Sequence, residues 1–285
     1  MIGDKNTQKI EAGDGFSNVQ INGSCTVNNG MTYLDVKQIA EDVFRYNFLL
    51  MKDEARLEAD KRADEITELL LNKIKGRFPH LYNLFVAPDV QYGLYQMQKS
   101  YVLRNDEQLK AMLADVMVQR LLANDSEQGK IIFNEALDTM RMLTEKHLSI
   151  LSVIFLVRYV RYQDYNTFLV FCNFMVNILD KYDDFSDELI FDHLSYAKCV
   201  IDTLGFSIII KDFLEINRNL FPDRELDDYE SIMQLIEEVP TFKALRNFWD
   251  QSPLTHYKLT SVGKVIAITY LRNMGFGIEY AIWIK

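Results

Sequence analysis

The 285-residue chain is short of cysteine, proline and histidine, and each scarcity excludes a class of chemistry. Cys25, Cys172 and Cys199 are odd in number and share no CxxC spacing, which argues against a disulfide framework or a structural zinc site and fits a reducing cytosol. His80, His147, His193 and His256 form neither HExxH nor an i,i+4 pair, so a helical zinc site fails. No GxSxG, GxGxxG or GxxxxGK[ST] occurs, and phosphate-cradling loops are thereby excluded.

Positive charge is also scarce. Lysine and arginine number 31 against 41 acids, giving a net charge of −10. Nucleic acid is therefore not expected as a bulk partner, because phosphate binding needs clustered cations. Long apolar runs are missing too. Leu148–Val157 stops at Arg158 and Phe168–Leu179 stops at Asp180. A membrane span needs ~20 apolar residues. Both runs read as central core helices, with a membrane-perturbing role as the alternative. The opening residues lack an apolar core, so no signal peptide is expected and the cytoplasm is the expected location.

What is present divides the chain into four parts. Residues 1–30 hold five of the twelve glycines and five asparagines, a composition that cannot propagate a helix. Asn18–Asn22 and Ser24–Asn28 alternate polar and apolar residues around Asn22-Gly23, the strongest two-residue hairpin signal. This leader reads as a short β-hairpin. Its small apolar face needs a platform, either its own helical body or the same segment of another chain. The open edges favour the second, making Val19, Ile21, Cys25 and Val27 candidate self-association residues with a homo-oligomer expected. A disordered tail with strand-like letters is the alternative.

Residues 31–76 follow. Thr32 and Asp35 form a capping box, and Gly76 with Pro79 closes the pattern. Apolar residues recur at helical spacing from Val36 to Ile74, so one long helix is expected. Between Lys52 and Glu65 its stripe is only alanine, which suits a thin seam against another helix or a solvated stalk. A break near Lys52–Glu54 is the rival reading.

Residues 77–250 read as a helical bundle. No proline interrupts Asp89–Phe221. Helices are expected near 88–103, 106–123, 127–160, 164–182, 186–204, 207–220, 227–238 and 240–250. Residues 251–285 read as a strand and a helix, with Tyr257-Lys-Leu extended and Val262–Leu271 helical, an order resembling the close of a winged-helix domain. The fold class is thus all-α, with a β leader.

Three stretches carry candidate site residues. The acidic joint Asp180–Glu188 lacks the glycine of a calcium loop. Asp183, Asp187 and Glu188, with His193 nearby, are the carboxylates on which an unrecognised metal-dependent hydrolase would depend. "RYVRYQ" is the one aromatic-basic cluster, and Arg158 and Arg161 are candidate contacts for an anionic partner, although arginines at a helix end also serve as dipole partners. No catalytic residue, metal ligand or cofactor follows from any motif.

Two ends of the chain carry a resemblance covering about a third of it. "GDGFSNVQINGSCTVNNG" resembles the Gly-Asp-Asn-Ser…Ile-Gln leaders found on bacterial defence and signalling proteins, departing from them at Gly15-Phe16. "YLDVKQIAEDVFRYNF…ADKRADEITELLL" and "YKLTSVGKVIAITYL…IWI" resemble the first helix and the closing segment of an uncharacterised family of bacterial helical proteins. The resemblance implies a bacterial cytoplasmic protein tied to anti-phage defence and supplies no catalytic residues. The resulting expectation is a non-catalytic interaction protein, a sensor or scaffold with a protein partner.

Overall fold

The computed structural model describes residues 30–47, 53–182, 187–203, 213–214, 216–225, 228–250 and 252–282. The chain divides into two compact units, Met1–Gly30 and Met31–Lys285. The expected hairpin with Val19, Ile21, Cys25 and Val27 lies outside the described residues, as do 207–212 and 215 of the helix expected over 207–220. Among the described residues the fold is helical, with one two-stranded sheet.

The expected single helix over 31–76 is instead two, α1 (Tyr33–Asn47) and α2 (Asp53–Lys75), packed against each other. Lys37 on α1 pairs with Glu68 on α2 at 3.0 Å. In one straight helix these residues would stand about 46 Å apart, at 1.5 Å per residue. The alanine stripe explains the fold-back. Ala59 and Ala63 are buried with Phe44 of α1 and Val102 in a small separate cluster, so the stripe is a seam and not a stalk. Ala55, nearer the start of α2, is exposed. The Thr32–Asp35 box forms as expected: Thr32 N–H donates to Asp35 Oδ2 at 2.8 Å and Asp35 N–H to Thr32 Oγ1 at 3.3 Å.

A 3-10 segment, Pro79–Val86, leads into α3 (Pro88–Arg104) and α4 (Glu107–Leu122). Asn105 joins them in the left-handed region at φ 48°, and the Asp106 side chain accepts from Leu109 N–H to cap α4. The helix expected over 127–160 is interrupted. α5 (Glu127–Thr139) ends in a 3-10 turn at Met140–Met142, and α6 (Glu145–Arg158) starts afresh. Thr144 is the cause. Its side chain accepts from His147 N–H while the His147 ring accepts from Thr144 N–H, a capping box with histidine in the place that Glu or Gln usually takes.

α7 (Tyr165–Leu179) follows the expected bounds closely. The helix expected over 186–204 is shorter. α8 (Glu188–Tyr196) stops where Lys198 turns left-handed at φ 57°. Lys198 N–H bonds Ser195 O and Cys199 N–H bonds Leu194 O, the paired bonds of a Schellman stop. Released from the helix, Val200–Asp202 extends as β1. It pairs antiparallel with β2 (Tyr257–Leu259), Val200 opposite Leu259. Between the two strands lie α9 (Tyr229–Glu238) and α10 (Pro240–Asp250), and α11 (Ser261–Asn273) follows β2.

The core centres on α6 and α11, which pack together. Every residue from Leu148 to Arg158 is buried, as is every residue from Val265 to Leu271. A helix enclosed on all sides needs no amphipathic pattern. Among the described residues, no helix is long and apolar enough to cross a membrane.

Candidate functional site

The residues singled out in the sequence do not assemble into a chemical site. Arg158 is the clearest correction: it is buried, its Nη2 donates to the Thr255 carbonyl at 3.0 Å, and its guanidinium lies 5.3 Å from the centre of the Trp249 ring. It is a packing residue with its charge spent inside the fold, unavailable to an anionic partner. Arg161 stays exposed. Asp187 caps α8, its side chain accepting from Leu189 N–H at 3.0 Å, and Glu188 is exposed. Asp183 lies outside the described residues. His193 Nε2 stands 2.9 Å from the Met142 carbonyl, and its ring stacks on His147 at 4.8 Å between centres. Burial, helped by His193 and Lys146, pulls the His147 pKa down to about 4.

The two described thiols are inert packing groups. Burial raises the pKa of Cys172 well above the usual thiol range and that of Cys199 to about 12. Among the described residues no group of three His, Cys, Asp or Glu is placed to hold a metal ion.

One surface feature does stand out, a groove between α1 and α3 that no motif announced. Asp42, Val43 and Tyr46 line one wall, and Pro88, Gln91, Tyr92 and Tyr95 the other. Its volume is about 600 Å³, within the range of ordinary ligand sites. The helical repeat builds both walls. Asp42 and Tyr46 are one turn apart on α1, and Pro88, Gln91 or Tyr92, and Tyr95 recur every three or four residues on α3. Opposite them on the same helices lie the buried residues: Val36, Ala40 and Phe44 on α1, and Val90, Leu94, Met97 and Tyr101 on α3.

The groove's side chains are held from behind. Gln38 Nε2 donates to Asp42 Oδ1 at 3.0 Å, and Gln91 Nε2 donates to the Phe85 carbonyl at 3.0 Å. Pro88 opens α3 at a first-turn position, where its missing N–H costs nothing. Lys99 sits 5.9 Å from the centre of the Tyr95 ring, beyond the lining residues. Despite these supports, Tyr46 is 79% exposed and Tyr92 54% exposed. Tyrosine presents a large rigid area at low entropic cost and carries a hydroxyl to hydrogen-bond with, so exposed tyrosines around a concavity are the chemistry of a recognition surface.

The buried side of α3 is anchored by a charge that the sequence reading also missed. Arg120 of α4 is fully buried, paired with Asp89 of α3, and its Nε donates to Asn134 Oδ1 of α5 at 3.2 Å. Three helices meet at one guanidinium, and Gly93 of α3 makes room, because a Cβ there would come within 2.8 Å of Asn134 Oδ1. Arg120 stands inside an apolar stretch of α4, and a lone buried arginine has no signature in a single sequence.

No curated protein and no solved structure matches the chain. The model of an uncharacterised "-like" protein family matches residues 30–217 and 203–284, two overlapping stretches that together run from Gly30 to Ile284. The chain therefore belongs to that family.

Proposed function

We propose that the protein is a non-catalytic interaction module that receives a protein segment in the α1–α3 groove. The observation that carries this reading is the pair of exposed tyrosines, Tyr46 and Tyr92, facing a common concavity with Asp42. Exposed aromatics at a concave, polar-rimmed site are enriched where proteins bind proteins. The inert burial of Cys172 and Cys199 and the capping role of Asp187 favour this reading over a hydrolytic one.

In this reading the leader supplies a second contact. Val19, Ile21, Cys25 and Val27 pair with the same segment of another copy, giving a homo-oligomer that displays several grooves and gains avidity from them. The closing strand and helix, winged-helix-like in order alone, belong to the core of the bundle, where α11 packs on α4, α5 and α6. A sensor or scaffold role in bacterial anti-phage defence is the setting we assign to such a module.

Panning a random-peptide display library against the full chain tests the proposal. Enrichment of a peptide family that no longer binds the Tyr46→Ala/Tyr92→Ala variant is expected. Absence of any tyrosine-dependent enrichment would refute the groove. Light scattering of the full chain and of a variant lacking residues 1–30 tests the leader separately. The full chain is expected to exceed its 33.3 kDa monomer mass and the shortened one to fall back to the mass of a single copy.

A further inference from the structure

The composition of the groove narrows the kind of segment it takes. We infer that its ligand is a proline-rich extended segment bearing an arginine or lysine beside the prolines, a specification that rests on the groove being the interaction surface.

An amphipathic helix buries an apolar face and needs an apolar trough. Here the aliphatic lining is only Val43 and Pro88, and the remaining apolar surface is tyrosine ring interrupted by Gln91 and Asp42, which is not the aliphatic trough that such a helix fills. An added β-strand needs an open sheet edge, and both walls are α-helices whose backbone groups are already bonded within the helix. A nucleic acid or an anionic lipid surface needs cations, whereas the charged residue lining the groove is Asp42 and the chain carries −10.

A polyproline II segment meets each remaining condition. Its prolines are preformed and lose little entropy on docking, and aromatic-lined grooves are the surfaces that hold them. Tyr92 and Tyr95, three residues apart on α3, stand ~4.5 Å apart along the helix axis, with Tyr46 on the facing wall. A polyproline II segment has no internal hydrogen bonds, so its carbonyls are open to donors, and the exposed Tyr46 and Tyr92 carry hydroxyls that can donate to them. Charge sets the polarity. Asp42 lines the groove, while its neighbour Glu41 faces Arg45 at 3.8 Å on the next turn, so Asp42 is the carboxylate that receives the ligand's cation.

The test uses the full chain and fluorescein-labelled decapeptides read by polarisation. The first peptide carries a Pro-x-x-Pro core followed by arginine. The second replaces both prolines with alanine, and the third replaces the arginine with glutamate. The first is expected to bind, the second to lose at least tenfold in affinity, and the third about as much. Tyr92→Ala is expected to weaken the first peptide at least tenfold at an unchanged circular-dichroism spectrum. Asp42→Lys is expected to invert the preference, so that the glutamate peptide outbinds the arginine peptide. That reversal keeps the test sharp even if an alanine variant folds poorly, since misfolding does not exchange one ligand for another.

Equal binding of all three peptides, or no binding of any, overturns the inference. If the proline peptide is inert while other peptides from the display library bind in a Tyr92-dependent way, the ligand class is wrong and the groove stands. If no peptide binds through Tyr92, both fall. A synthetic peptide of residues 1–29 serves as a competitor. Saturable, Tyr92-dependent binding of that peptide with the proline peptide inert would assign the groove to the chain's own leader and overturn the inference.

Discussion

The helices α6 and α11 and the helices α1 and α3 illustrate opposite uses of the same element. α6 is buried from Leu148 to Arg158, and α11 from Val265 to Leu271. Neither has a face left over, and the arginine that ends α6 is stacked on Trp249. α1 and α3 bury one side each and present tyrosine, glutamine and aspartate on the other. The enclosed pair supplies stability and no surface. The half-buried pair contributes less burial and has the surface on which recognition depends. An apolar run alone does not mark enclosure: α7, which carries the Phe168–Leu179 run expected as a second central core helix, buries only one side and leaves Val170 59% exposed.

The largest effect is expected where the enclosed α11 meets the turn that leads into β1. Gly263 of α11 packs on the Cys199 carbonyl so closely that a Cβ would lie 2.0 Å from the oxygen, and that oxygen also accepts from Thr260 N–H. Backbone must move to admit it. Gly263→Ala is expected to lower the unfolding free energy by about 3 kcal/mol or more, read by urea denaturation. A neutral result would show that the clamp between β1 and α11 is looser than described.

Next comes the buried side of α3. Asp89→Ala strands the Arg120 guanidinium in the core and is expected to cost about 3 kcal/mol, the low end for a broken buried pair because Asp89 is half exposed. Arg120→Met removes the charge itself and is expected to cost clearly less. If the two cost the same, Arg120 acts by shape and not by charge.

A smaller, pH-dependent effect is expected at the start of α6. His147 has a folded pKa of about 4 against an ordinary 6.5. Between those values the unfolded chain binds the proton more readily, so stability falls as pH drops from about 6.5 towards 4 and is complete above 6.5. The loss is expected to be about 1–2 kcal/mol once solvent screening is allowed for. His147→Gln keeps a capping-box residue at that position and is expected to flatten this slope, measured by denaturation at pH 4.5 and 7.5. An unchanged slope would place the titration elsewhere.

How far the sequence was legible follows from the same contrast. Capping chemistry is local, so the Thr32–Asp35 box forms as read, and the helix starts expected at 88, 106, 127 and 164 fall within a residue of those observed. Breaks were missed where the signal was unusual. Histidine replaced glutamate in the Thr144 box, and Lys198 took the left-handed position that glycine marks more often. The two helices in place of one agree with the rival reading of a break near Lys52–Glu54, which the alanine stripe could not select because it reads equally as stalk or seam. The groove was invisible for a simpler reason. Tyr46 and Tyr92 are separated by 46 positions, and only the packing of α1 on α3 brings them together. Arg158 was misread because "RYVRYQ" looks like a basic surface patch, and its partner Trp249 lies 91 residues away.

The smallest stability effect belongs to the tyrosines, and it separates surface from core most directly. A peptide selected against the full chain, titrated against the wild type and the Tyr46→Ala/Tyr92→Ala variant with unfolding measured in parallel, is the decisive comparison. The account predicts at least a tenfold loss of affinity with unfolding free energy changed by no more than about 0.5 kcal/mol per substitution. Undiminished affinity in the double variant would contradict it.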